Sequence, residues 1–171
     1  MARQALIEEG TAGVEIKKLA KRLRASRSSF YWFFKNRAQL LVELLDYWAE
    51  SSTDILEQTV LEHADGMAAY LAVTKLWVDE DRYDPKWDGA VRDWARTSQS
   101  VRKVVETVDR KRILILEQMF KGLGYTGLDA HIRARIMYYH QVGYYAMGVH
   151  ESRQQRRALI PYYRRALTGR D

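Results

Sequence analysis

The stretch Leu19-Ala20-Lys21-Arg22-Leu23-Arg24-Ala25-Ser26-Arg27-Ser28-Ser29-Phe30-Tyr31-Trp32-Phe33-Phe34-Lys35-Asn36-Arg37-Ala38-Gln39-Leu40-Leu41 reads as two short helices joined by a tight turn, running into a third. A helix-turn-helix needs a small residue where its helices cross and apolar residues at offsets that fix the angle. Leu19 and Leu23 are expected to face inward, with Ala20 at the crossing. The turn falls at Arg24-Ala25, and Ser26 is a good N-cap for the second helix. Phe30, Phe33 and Phe34 form an i, i+3, i+4 patch that is expected to seat that helix. The opposite face then presents Ser28, Tyr31, Trp32 and Lys35, with Ser29 on its flank.

Charge gathers on the same segment. Residues 15–37 hold eight basic side chains (Lys17, Lys18, Lys21, Arg22, Arg24, Arg27, Lys35, Arg37) against the single acid Glu15, a surplus of seven. The whole chain carries +6, so the remainder sums to −1. A basic stretch interleaved with Phe30-Tyr31-Trp32-Phe33-Phe34 is the electrostatic footprint of a duplex-DNA contact. Small hydroxyls early in a recognition helix can approach base edges, while phenol and ammonium groups reach phosphates. A solvated amphipathic hairpin would carry the same pattern without touching DNA.

Working outward, punctuation divides the 171 residues into about nine helices. The first spans Ala2 to Glu9 and stops at Gly10; the second covers Glu15 to Leu23, and the third ends near Phe34. Asn36 caps a long fourth helix, and Gln39 completes a box-like cap. Gly66 opens the fifth, and Asp84-Pro85 starts the sixth. A long seventh carries Val101, Val104, Val105, Val108, Ile115, Leu116 and Met119. The eighth starts at Thr126 and has the stripe Ile132, Ile136, Tyr139, Gly143 and Met147. Ser152 with Gln155 opens the last, where Pro161 is expected to kink or break the helix. No segment has strand periodicity, so the fold class is all-α. Residues 38–150 hold 13 basic and 17 acidic side chains, a mildly acidic body behind a basic head. The expected division is a helix-turn-helix domain over 1–36 and a larger domain over 37–171, packed through the fourth helix.

With no cysteine, thiol catalysis and cysteine-ligated zinc are excluded. The four histidines (His63, His131, His140, His150) show no paired metal-ligand spacing, and no glycine-rich phosphate loop occurs. No catalytic residue, metal or cofactor is expected. No apolar run approaches bilayer length, and no signal-peptide pattern opens the chain, so the sequence reads as soluble and cytoplasmic, without a membrane partner. Asp79 to Asp84 reads as a solvated acidic loop, and Arg153, Arg156, Arg157, Arg164 and Arg165 as a solvated helix face.

The quoted stretch resembles the DNA-binding segment of TetR-family transcriptional regulators. It is most similar to the subgroup whose recognition helix reads S-R-G-S-F-Y-W-H-F. Ala90-Val91-Arg92-Asp93-Trp94-Ala95-Arg96 and Val108-Asp109-Arg110-Lys111-Arg112 resemble blocks in that subgroup's C-terminal domains. Ser28 stands where glycine is usual and Phe33 where histidine is usual. The segment before Gly10 is a turn or two shorter than the usual first helix. The resemblance implies a ligand-responsive homodimeric repressor on a palindromic operator. Lys17 and Lys18 fall in its basic head, Tyr31 and Arg37 would contact phosphates, and Arg27, Ser28 and Ser29 would lie at the groove. Loss of DNA binding, leaving a small-molecule or protein-binding module on the same fold, is the other reading.

A small-molecule effector is implied as well. Trp48, Tyr70, Trp77, Trp87 and Trp94 lie where a pocket would be, and aromatic walls suit an aromatic or apolar ligand. Helical spacing of aromatics is equally that of core packing. The last two long helices would build the dimer face. Tyr139, His140, Gly143, Met147 and Tyr163 are its candidates, since small and aromatic residues are favoured where subunits meet. His140 also fits an effector-binding residue or a hydrogen-bonded core histidine.

Overall fold

The structure, a computed structural model, describes residues 1–24 and 26–170, with Arg27, Ser28 and Ser29 described by their backbone alone. Among the described residues there are nine α-helices, one 3-10 turn and no strand. The helices are α1 (Ala2–Glu9), α2 (Ile16–Leu23), α3 (Arg27–Phe33), α4 (Arg37–Leu61), α5 (Gly66–Asp79), α6 (Pro85–Thr97), α7 (Gln99–Gly122), α8 (Gly127–Ala146) and α9 (Arg153–Thr168), with the 3-10 turn over Gly10–Gly13. The chain divides into two compact units, one of Met1–Ser51 with Pro85–Thr107 and one of Ser52–Asp84 with Val108–Asp171. α4 and α7 each contribute to both. α6 and the first part of α4 fall in the compact unit that holds the helix-turn-helix.

The first unit buries Ala5 and Leu6 of α1, Val14, then Ile16, Leu19 and Ala20 of α2, and Leu40, Leu44, Leu45 and Trp48 of α4. α6 adds Trp87, Val91 and Ala95. Tyr47 packs on Trp87 with ring centroids 5.6 Å apart, and the Arg3 guanidinium lies 4.5 Å from the Trp87 ring centroid. α2 ends at Arg24, which takes the left-handed conformation (φ 51°) where a glycine would carry no Cβ penalty. α4 starts on local chemistry. Asn36 Oδ1 accepts from Gln39 N–H (2.9 Å), and Gln39 Oε1 accepts from Lys35 N–H (2.7 Å). This is the box expected at Asn36, with the return bond reaching one residue further back.

The second unit centres on Tyr70, Val73, Leu116, Met119, Phe120, Ala130 and Ala134. Tyr70 meets Phe120 edge-on at 6.2 Å. Asp65 caps α5 by accepting from Ala68 N–H (2.7 Å). At the start of α5 the backbone of Gly66 comes against that of Gly122, so close that a Cβ on Gly66 would lie 2.4 Å from the Gly122 carbonyl carbon. α9 opens with the full capping box between Ser152 and Gln155. It then runs through Pro161 to Thr168, against the expected break. Proline there removes one intrahelical donor, and the cap and the packing on both sides outweigh that loss. The end of α9 is fastened from outside: Tyr125 Oη donates to Thr168 O, Arg133 to Leu167 O, and Arg170 Nη2 to Leu123 O (2.6 Å).

The eighth helix turns the other way from its expected stripe. Ala130, Ala134, Met137, Tyr138 and Gln141 are buried, while Ile132, Ile136, Tyr139 and Met147 are exposed. Among the described residues no helix is long and apolar enough to cross a membrane.

Candidate nucleic-acid interface

α2 is strongly amphipathic: Ile16, Leu19 and Ala20 are buried, and Lys17, Lys18, Lys21 and Arg22 are exposed on the other side. Leu23 departs from expectation, being 47% exposed in the last turn, past the reach of the core. Phe30 of α3 and Phe34, just past its end, are half-buried and pair with each other at 5.8 Å. Phe33 does not join them and is exposed. A seven-residue helix packed along one side buries an arc too narrow for three phenylalanines. Tyr31, Trp32 and Lys35 are exposed, with Trp32 at 87%. The side chains of Arg27, Ser28 and Ser29, and all of Ala25, lie outside the described residues.

The basic residues are not equivalent. Arg22 is held by Glu9 (2.5 Å) and Glu8 (3.3 Å), and Lys18 by Glu9 (3.3 Å) and Glu15 (3.7 Å). The Gln4 amide, helped by the Arg22 guanidinium, holds the Glu8 carboxyl below its usual range. Lys17 and Lys35 have no ion pair among the described residues. Arg37, expected at a phosphate, is exposed but engaged: its Nε donates to Val14 O (2.8 Å) and its Nη2 to Thr11 O. It ties the start of α4 to the turn before α2. That role could be found from sequence only by knowing that two carbonyls end a 3-10 turn nearby.

In the second unit a half-open cavity of about 70 Å³ lies between α5, α8 and α9. Of the five effector candidates, Tyr70 and Trp77 line it. Trp48, Trp87 and Trp94 do not; all three belong to the other unit, Trp48 and Trp87 as core residues. Helical spacing of aromatics is shared by walls and cores, so the sequence could not separate them. His140 is no core histidine. It is exposed at residue level, with its ring 4.6 Å from that of Tyr163, and both rings line the cavity. Burial of the ring, with the Arg156 charge beside it, lowers its pKa, against the pull of Glu151. Of the other dimer candidates, Tyr139, Met147 and Tyr163 are exposed and Gly143 is half-buried.

Two expectations of solvated charge are overturned beside this cavity. Arg156 is nearly enclosed, donating to Glu80 (2.5 Å), to Trp77 O (2.9 Å) and to Tyr145 Oη (3.0 Å). Tyr145 Oη in turn donates to Glu80 (2.6 Å), and burial pushes its pKa up to about 12. Arg157 grips the buried Asp79 at 2.5 Å. The end of α5 and the start of α9 thus satisfy one another's charges. Gln141, which sequence reasoning passed over, is buried in α8 and lines the cavity.

Residues 1–44 match the family described as bacterial regulatory proteins, tetR family. The match spans α1 to α3 and the first turns of α4. No curated protein and no solved structure matches the chain significantly.

Proposed function

We propose that this chain, a tetR-family DNA-binding transcriptional regulator by its first 44 residues, is a cytoplasmic homodimeric repressor that holds a palindromic operator and releases it when a small molecule enters the second unit. The observation that carries the reading is α3. Its Phe30 pairs with Phe34 just past its end, while Tyr31 and Trp32, and Lys35 two residues beyond the helix, stand exposed. Such a helix can enter a major groove with hydroxyl and aromatic groups at base edges and cations at phosphates. Arg27, Ser28 and Ser29 would lie at the groove. Lys17, Lys18 and Tyr31 would contact the backbone, and Arg37 would act by holding the turn before α2.

Dimerisation is supported by α8, whose Leu128, Ile132, Ile136 and Tyr139 are exposed apolar residues, and by Tyr162 and Tyr163 of α9. A contiguous apolar face of this kind marks an interaction surface. A symmetric dimer would set two recognition helices about 34–36 Å apart, one turn of the duplex. Effector binding would favour a spacing that no longer matches successive grooves, a population shift.

A gel-shift against DNA upstream of the chain's own and neighbouring genes tests the reading. Retention at low salt, lost steeply as salt rises, is expected. A folded dimer that retains no such fragment would leave the small-molecule or protein-binding module as the better account.

A further inference from the structure

Besides histidines, the charged side chains lining the cavity between α5, α8 and α9 and the recess beside it are Glu80, Glu151 and Arg156. Arg156 is already committed. Its guanidinium donates to Glu80 (2.5 Å), Trp77 O (2.9 Å) and Tyr145 Oη (3.0 Å), and it lies 4.8 Å from the Tyr144 ring centroid. Glu80 is committed with it, since Tyr145 Oη also donates to that carboxylate (2.6 Å). Glu151 differs from both. It is half-buried, accepts one hydrogen bond from the neutral Tyr144 Oη (3.1 Å), and has no ion pair among the described residues.

Cancelling Glu80 against Arg156 leaves one negative charge, on Glu151. Its field is felt on the cavity wall, where it opposes the burial that lowers the His140 pKa. An uncompensated carboxylate beside a cavity repels anions and draws cations. The neutral polar groups on the same wall, Gln141 and Tyr163 among them, make no such distinction.

Glu151 also stands where the two spaces meet, because it lines both, together with Tyr144 and Arg156. The inner cavity, about 70 Å³, has less than half the roughly 150 Å³ that holds a benzene ring. Met137, Leu159, Ile160 and Leu167 give it apolar surface. An alkyl chain enters such a space more readily than a ring does. The recess outside it, about 330 Å³, leaves room for a partly hydrated ammonium beside Glu151.

We propose that this site takes a protonated aliphatic monoamine, its ammonium on Glu151 at the mouth and its alkyl chain in the inner cavity. One uncompensated carboxylate calls for one ammonium. This names the ligand class for the effector reading above and rests on that reading for its regulatory meaning.

Hexylamine, 1-hexanol and hexanoate share a chain and differ in charge. Their dissociation constants with the full-length protein, from methyl-observed NMR titration at about pH 7.5, make the test; alkylammonium is charged there and imidazole largely neutral. Hexylamine is expected to bind about ten-fold more tightly than hexanol, the low end of what a hydrogen bond to a charged group is worth. Hexanoate is expected to bind weakest. Glu151→Gln keeps an acceptor for Tyr144 and is expected to level amine and alcohol by weakening the amine alone. If that variant does not fold, salt serves instead: raising it from about 50 to about 500 mM should shrink the preference for the amine and leave hexanol unchanged. Equal affinities for amine and alcohol, tighter binding of hexanoate, no saturable binding of the amine, or a preference that survives Glu151→Gln would overturn the proposal. DNA release, followed separately, keeps the two readings apart. Equal binding of amine and alcohol with release would sink the ligand class and keep the effector site. A Glu151-dependent preference without release would do the reverse.

Discussion

Substituting Lys35 tests the DNA interface through its salt dependence. Each phosphate neutralised by the protein contributes about 0.9 to the slope of log affinity against log salt. Lys35 is exposed two residues past the end of α3, without an ion pair among the described residues, so its whole charge is available. In a homodimer Lys35→Ala removes two such charges, lowering the slope by about 1.8 and the affinity lost between 50 and 200 mM salt by a factor of about 12. Arg22 is the internal control. Glu8 and Glu9 already neutralise it, so Arg22→Ala should change the slope far less. Glu9→Gln, which leaves Arg22 with Glu8 alone and Lys18 with Glu15 alone, should steepen it. Fluorescence anisotropy on one operator across a salt series reads all three. Equal slopes for Lys35→Ala and the unsubstituted protein, or a larger effect at Arg22 than at Lys35, would refute the assignment of free and spent charge.

Three further outcomes follow from the packing. Arg37→Ala removes two guanidinium hydrogen bonds to main-chain carbonyls and should cost about 1.5–3 kcal/mol in thermal unfolding; an unchanged melting temperature with DNA binding lost would instead make Arg37 a simple phosphate contact. Gly66→Ala should destabilise by about 1–3 kcal/mol through its clash with Gly122, whereas Gly122→Ala, whose Cβ would meet Gly66 Cα at 3.4 Å, should be nearly neutral; circular-dichroism melts showing the reverse order would sink the close-approach argument. Asp79, whose carboxyl is held below its usual range chiefly by hydrogen bonds from Arg157, binds its proton less readily folded than unfolded. Its contribution is present above the unfolded pKa and lost as pH falls through the folded one, so Asp79→Asn should flatten the fall of melting temperature below about pH 4.

Helix ends were legible because capping is local chemistry. Asn36 with Gln39, and Ser152 with Gln155, announce their helices within four residues, and both boxes form. What a helix buries was less legible. On α8 the sequence offers a stripe at Ile132, Ile136 and Tyr139, and the fold buries Ala130, Ala134, Met137 and Tyr138 instead. Hydrophobicity ranks those arcs in the wrong order. At the site, the outward side of α3 could be read from helical geometry, yet Phe33 could not be placed without knowing how little of a short helix its neighbours cover. The embedded Arg156 is the plainest limit. Its acid partner Glu80 lies far along the chain, in a stretch that looks like solvated loop until α9 packs over it.

The fastening of the last helix bears on how this chain can vary. Tyr125, Arg133 and Arg170 all hold main-chain oxygens, two of them on Leu167 and Thr168, so they grip the path of the chain rather than the identity of Leu167. A different residue at 167 would leave that grip in place if its new side chain could be seated. Loss of any one gripping residue, Tyr125 or Arg133 eight residues apart or Arg170 past the helix, would loosen the same terminus. Tolerance at that end is thus decided mostly by positions outside α9.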